Sequence, residues 1–249
     1  MAKSYIALGN YDAALEAYEN ALKSFPEDAL LKYDYAKLLS RSKKLNEAAV
    51  LLNELVYQDY KNPNYHYEFG LVLERQGDSS AMNRFQSAFD LDNSHQKAIQ
   101  KIARHYLVIR NHKASLRYID IGLETYDNNT ELINLKALNY YWMENYKEAS
   151  VWFNKLLDLG ENSLFIQEKL SFCLAQQQLF EQAIFHAQNA VTMDPKKSIN
   201  LYILGQLYDE IKDYVHAEEW LREALILMDQ PLNAEYTQLA TVLNQQKKY

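Results

Sequence analysis

A small residue returns at a nearly constant interval along the chain: Ala14, Ala48, Ala81, Ser115, Ala149, Ala183 and Ala217, separated by 34, 33, 34, 34, 34 and 34 positions. Five of them open a small–large–small or small–large–large triplet: Ala14, Tyr18, Ala21; Ala48, Leu52, Leu55; Ala81, Phe85, Ala88; Ala149, Phe153, Leu156; and Ala217, Leu221, Ala224. Steps of three and four put each triplet on one face of an α-helix. A period of this length implies stacked supersecondary units, because each unit can bury its apolar face only against its neighbours.

A second small column lies about twelve residues ahead of the first: Ala36, Gly70, Ala103, Ala137, Ser171 and Gly205. Three residues after each stands a bulky one: Leu39, Leu73, Tyr106, Tyr140, Leu174 and Tyr208. Two small columns per unit predict two helices whose backbones approach closely, with the bulky side chain filling the groove beside the contact. Short polar stretches, "RQGD", "IRNH", "MENY" and "EIKD", read as the turn between them, often followed by a large residue such as Tyr11, Leu45, Tyr146, Phe180 or Tyr214. Pro26, Asn93, Asp127, Pro195 and Asp229 follow the second helix, where a helix-ending residue is needed. Only six glycines and four prolines occur in 249 residues, which argues against a turn-rich all-β chain.

Two helices in 34 residues with these columns resemble the tetratricopeptide repeat, and the resemblance runs the length of the chain. It implies an all-α fold, a solenoid of antiparallel helix hairpins wound into a right-handed superhelix, read as one continuous array. The units fall at 1–28 (partial), 29–62, 63–95, 96–129, 130–163, 164–197, 198–231 and 232–249 (partial). The third is one residue short near Gly77–Ser80. The family's early tryptophan is replaced throughout, by Lys32, His66, Ile99, Ile133, Gln167 and Leu201. In the family the first helices line the concave face and the second helices form the back.

Signatures of chemistry are missing. The six histidines form no H-E-x-x-H pair, and no G-x-G-x-x-G, G-x-x-x-x-G-K-[ST] or G-x-S-x-G occurs, so no catalytic residue, metal ligand or cofactor is assigned. Cys173 is the one cysteine, which removes an intrachain disulfide, and its setting in "SFCLAQ" reads as packing. Among the twenty tyrosines, Tyr11, Tyr18, Tyr106, Tyr140, Tyr208 and Tyr214 fall in packing columns. Tyr60 and Tyr126 close second helices, where they are expected to cover the next hairpin.

The first-helix positions opposite the packing columns carry the functional reading. They include Tyr33, Lys37 and Arg41; Tyr67, Leu71, Glu74 and Arg75; Lys97, Lys101, Arg104 and Val108; Leu138, Tyr141 and Trp142; Phe165, Glu168 and Phe172; and Tyr202, Asp209 and Glu210. The residues expected to bind a peptide are Tyr33, Lys37, Tyr67, Arg75, Lys97, Lys101, Arg104, Tyr141, Trp142, Phe172 and Tyr202. Aromatic rings recur among them, and basic residues cluster early while carboxylates come late. Such a surface suits an extended peptide or partner helix, the rings supplying apolar area and the charges setting direction. Members that capture a C-terminal carboxylate use a lysine–asparagine set; the matching asparagines are absent here, which leaves a generic acidic segment as the ligand of the basic end.

The expectation is therefore a non-enzymatic scaffold for a protein or peptide partner. The alternatives are a self-associating spacer and the interaction module of an enzyme whose catalytic domain lies elsewhere. Nucleic acid is a poor partner: residues 1–125 hold 16 basic and 16 acidic side chains, residues 126–249 hold 10 and 17, and the net charge is -7. No run approaches the roughly 18 apolar residues of a membrane span. Met1-Ala-Lys-Ser leads straight into a helical pattern, which fits a cytoplasmic protein or a periplasmic or secreted one whose leader was removed. Both ends stop inside a unit, "GNYDAALEAYENALKSFPED" being a turn and second helix behind a shortened first helix from Met1 to Leu8, and "AEYTQLATVLNQQKKY" a first helix with its turn. Neither has the polar outer face of a capping element, so the expectation is a fragment of a longer array, with self-association through its uncapped ends as an alternative.

Overall fold

A computed structural model describes residues 2–246; Met1 and the "KKY" of the last turn lie outside the described residues. All regular structure among the described residues is helical. Two compact units are present, Met1–Asp127 and Asn128–Tyr249.

The first unit contains α1 (Ala2–Ala7), α2 (Tyr11–Ser24), α3 (Ala29–Arg41), α4 (Leu45–Gln58), α5 (Pro63–Gln76), α6 (Ala81–Leu91), α7 (Gln96–Val108) and α8 (His112–Thr125). The second contains α9 (Thr130–Trp142), α10 (Tyr146–Asp158), α11 (Leu164–Gln176), α12 (Phe180–Met193), α13 (Ser198–Glu210), α14 (Tyr214–Leu227) and α15 (Asn233–Gln246). In each unit an odd-numbered helix pairs with the even-numbered helix after it, and that helix packs in turn on the next odd-numbered one.

The small columns form the contact lines of these hairpins. Ala14, Ala48, Ser115, Ala149, Ala183 and Ala217 are wholly buried, as are Ala36, Ala103 and Ala137. Glycine at two of the other positions in the second column is set by distance: a Cβ on Gly70 would lie 2.7 Å from the Phe85 ring, and one on Gly205 would lie 2.8 Å from Leu221 Cγ. Phe85 and Leu221 are the large members of the facing triplets, so close approach and filled groove are two sides of one contact.

Every intra-hairpin turn closes in the same way. The residue at the centre of the turn adopts a left-handed conformation, with φ of 73° at Gly9, 63° at Lys43, 75° at Gly77, 59° at Arg110, 58° at Glu144, 61° at Gln178 and 63° at Lys212. The following amide then donates back to a carbonyl in the last helical turn: Lys44 N to Leu39 O at 2.9 Å, Asn111 N to Tyr106 O at 2.8 Å and Asp213 N to Tyr208 O at 2.9 Å. These are Schellman closures, and the accepting residues are the bulky column noted in the sequence. The next helix starts on a side-chain cap at Asn10, Asn111, Asn145 and Asp213, each accepting from the third helical amide. In the third unit, one residue short, the second helix starts only at the small-column residue Ala81, so α6 has 11 residues where α4 and α8 have 14.

Three tyrosines depart from expectation. Tyr11 is 47% exposed and Tyr60 is 63% exposed. For Tyr11 the neighbouring α1 is a six-residue helix that buries none of its own side chains and gives the ring little cover. Tyr126 turns back rather than forward: its hydroxyl donates to Ser94 O at 3.0 Å, the turn ahead of α7.

Candidate interaction surfaces

In the first unit, α3, α5 and α7 place charged side chains on a shared face. Lys37, Arg41, Arg75 and Lys97 surround Glu68 on α5. Burial raises the Glu68 pKa, and the four cations oppose that shift without overcoming it. Arg75 Nη1 donates to Ser40 Oγ at 2.7 Å and to Ser40 O at 3.2 Å, fastening α5 to the last turn of α3. Lys101 on α7 pairs with Glu74 on α5. Asp34 accepts from Lys3 at 3.1 Å and lies 4.0 Å from Lys37. Arg41, Lys97 and Arg104 are exposed. The face is thus a basic rim around a half-buried carboxylate.

The expected residues divide by this geometry. Tyr33 is half-buried against Tyr65, ring centroids 5.3 Å apart, with Lys37 Nζ 4.9 Å from its centroid. Tyr67 is 8% exposed and packs on Phe85 and His95, so its ring belongs to the junction of α5, α6 and α7 and is not offered to a ligand. Burial lifts its phenol to about 12. Arg75 and Lys101 are committed to neighbouring helices, and Arg41 and Lys97 are the exposed cations facing Glu68.

In the second unit the corresponding face is aromatic. Tyr141 on α9 lies 5.5 Å from Phe172 on α11, Tyr146 lies 5.5 Å from the same ring, and Trp142 meets Tyr141 edge-on at 5.3 Å. Lys169 Nζ sits 4.2 Å from the Tyr141 centroid, a cation–π contact. Trp142 is 54% and Phe172 38% exposed. Further along, Tyr202 is half-buried on α13, and Asp209 accepts from Gln238 on α15. Burial first and Glu210 second raise the Asp209 pKa, with the Gln238 bond opposing.

Sequence reasoning passed over Asp34, Glu68 and Lys169. The signal was present: Asp34, Glu68, Lys101 and Lys169 occupy one register position of α3, α5, α7 and α11, and only Lys101 was drawn into the site. The rule used, the face opposite the packing columns, excludes a position that borders the packing. There the side chain is buried enough for its charge to matter. Cys173 is fully buried on α11, and burial lifts its thiol to about 12, as the packing role implies. Among the described residues no group of three or more His, Cys, Asp or Glu side chains has a metal-holding arrangement, and no described helix is long and apolar enough to cross a membrane.

Family models described as tetratricopeptide repeat match residues 5–67 and 200–225. Among curated proteins, the DnaJ homolog subfamily C member 7 homolog of Dictyostelium discoideum is 24% identical over 226 residues, 83% of this chain; the chain spans 40% of that relative's length. Among solved structures, the C-terminal part of a TPR repeat-containing protein from Cytophaga hutchinsonii superimposes with a TM-score of 0.75 at 18% identity, covering 96% of this chain and 98% of that one. A tetratricopeptide repeat protein from Parabacteroides merdae gives 0.63 at 16% identity over 97% and 96%. YrrB, described as a TPR protein with an unusual peptide-binding site, gives 0.66 at 19% identity over 79% and 97%. These matches show tetratricopeptide repeats at residues 5–67 and 200–225, in a helix-hairpin fold shared with solved tetratricopeptide-repeat proteins.

Proposed function

We propose that the chain is a non-catalytic scaffold that holds a partner polypeptide on the first-helix face of its first unit, and that the segment held is acidic. The observation that carries this reading is the basic rim of Lys37, Arg41 and Lys97 around Glu68. Arg75 and Lys101 are spent on Ser40 and Glu74, so the remaining charges stand on helices already fixed to one another. Preorganised charge discriminates among partners and speeds encounter more than it adds raw affinity. A neighbour in structure that binds peptides supports the same reading. The aromatic face of the second unit, with Trp142 and Phe172 outermost, supplies apolar contact area of the kind that anchors protein partners.

The test uses a short fluorescein-labelled glutamate–leucine peptide and its lysine–leucine counterpart. Anisotropy titrations are expected to show salt-sensitive binding of the acidic peptide alone, weakened about tenfold or more by Arg41→Glu with Lys97→Glu. Equal binding of both peptides, or an unchanged Kd in the double variant with unchanged thermal unfolding, overturns the reading.

A further inference from the structure

At the third residue of α7, α9, α11 and α13 stand Ala98, Leu132, Ile166 and Asn200, all buried, and only the last is polar. In the small column of the first helices the members are Ala36, Gly70, Ala103, Ala137, Ser171 and Gly205, and only Ser171 carries a hydroxyl. These two departures come from different hairpins and meet at one place. Ser171 on α11 and Asn200 on α13 line one small cavity of about 20 Å³, whose other lining residues are Glu168, Phe172, Ala187, Ala190 and Ile203.

Both side chains are 3% exposed, and Ser171 Oγ and Asn200 Nδ2 have no hydrogen-bond partner in the protein. Ser42 Oγ, His66 Nδ1, Asn134 Oδ1, Trp220 Nε1 and Glu235 Oε2 are also buried without a partner, whereas several other interior polar side chains close on protein groups. Ser115 Oγ donates to Ala103 O at 2.8 Å, Asn139 Nδ2 donates to Leu135 O at 2.8 Å, and His186 Nδ1 lies 2.7 Å from Gln167 Oε1. A buried donor without a partner is costly, and a space of this volume admits one water molecule, which needs two to four polar neighbours. Ser171 and Asn200 supply two. Glu168 also lines the cavity, and its Oε1 accepts from Lys197 Nζ at 2.6 Å.

We propose that the junction of α11, α12 and α13 is a binding site for one ordered water, held by Asn200 Nδ2 and Ser171 Oγ. The water replaces the apolar contact used at the other junctions. It ties consecutive hairpins directly behind Phe172, an exposed ring of the aromatic face. Its amide donor and hydroxyl define a site for a hydroxyl-sized, neutral ligand and for nothing larger.

A crystal structure of the full chain tests this. Density is expected within about 2.7–3.2 Å of both atoms. An empty cavity, or an Asn200 amide turned to bond a protein group, overturns the proposal. In solution, magnetic relaxation dispersion of water is expected to lose one long-lived molecule in the Ser171→Ala, Asn200→Leu double variant. Ser115→Ala, whose hydroxyl bonds the protein itself, is expected to lose none. An unchanged count in the double variant also overturns the site, and the wild-type crystal decides if that variant does not fold.

Discussion

Arg75 grips Ser40 through both its hydroxyl, at 2.7 Å, and its carbonyl, at 3.2 Å, so a side chain of one hairpin closes the last helical turn of the hairpin before it. Residues 35 positions apart thereby set the spacing of the two first helices on the proposed binding face. Arg75→Ala is expected to lower stability by about 1 kcal/mol, since a charge-assisted bond is lost at a partly exposed site. Arg75→Lys is expected to recover only part of that, because an ammonium lacks the guanidinium fork. Urea midpoints at constant slope check both. Full rescue by lysine would show that charge alone matters.

The left-handed turn residues predict an inexpensive route to stability. Lys43, Arg110, Glu144, Gln178 and Lys212 hold the conformation that Gly9 and Gly77 hold without a Cβ. Lys43→Gly and Gln178→Gly are each expected to gain about 1 kcal/mol, less the entropy glycine adds to the unfolded chain. Gly77→Ala is expected to lose about the same. Chemical denaturation of the three variants separates backbone strain from side-chain effects, and a loss on Gln178→Gly would contradict it.

Glu68 predicts a coupled change in stability and binding. Its folded pKa is raised, so the folded chain holds this proton more tightly than the unfolded one. The associated stability is present below the ordinary value of 4.5 and is lost as pH rises through the raised folded value. Glu68→Gln is expected to remove that pH dependence and to tighten binding of the acidic peptide severalfold, because the surrounding cations are no longer opposed. Thermal melts across this window and one anisotropy titration are sufficient. Weaker peptide binding by Glu68→Gln would place the ligand elsewhere.

Gly70 and Gly205 predict a size limit with a specific rescue. Gly70→Ala puts a methyl 2.7 Å from the Phe85 ring and is expected to cost about 1–3 kcal/mol despite alanine's better helix propensity. Phe85→Leu in the same chain is expected to recover part of that loss. Gly205→Ala also meets the backbone nitrogen of Leu221 at 3.1 Å, which cannot rotate away, so trimming Leu221 is expected to recover less. Double-mutant cycles measure the coupling.

Cys173 is expected to resist Ellman's reagent in the folded chain at about pH 8, reacting only as fast as the protein opens, because burial holds its thiol near 12. Rapid modification without loss of helicity would show an accessible thiol.

The sequence alone determined the helices, their pairing and the contact lines between them. Those features depend on period and size: Ala48, Ala149 and Ala217 recur in step because only a small side chain lets two backbones approach, and composition cannot disguise that requirement. It also assigned the bulky column of Leu39, Tyr106 and Tyr208, though not its second role as the acceptor of each turn-closing bond. The turn conformation itself was hidden, because Gly9, Lys43, Arg110, Glu144 and Gln178 share no chemistry; packing of the two helices imposes φ whatever the side chain prefers. The binding face was legible as a set of positions but not as a division of labour. Tyr67 and Trp142 are both aromatic, yet one is buried against Phe85 and the other stands exposed, and only the distances between helices decided which. Glu68, Ser171 and Asn200 acquire their meaning in the same way, from neighbours on other helices, where burial turns an ordinary polar side chain into one whose charge or hydrogen bond must be answered.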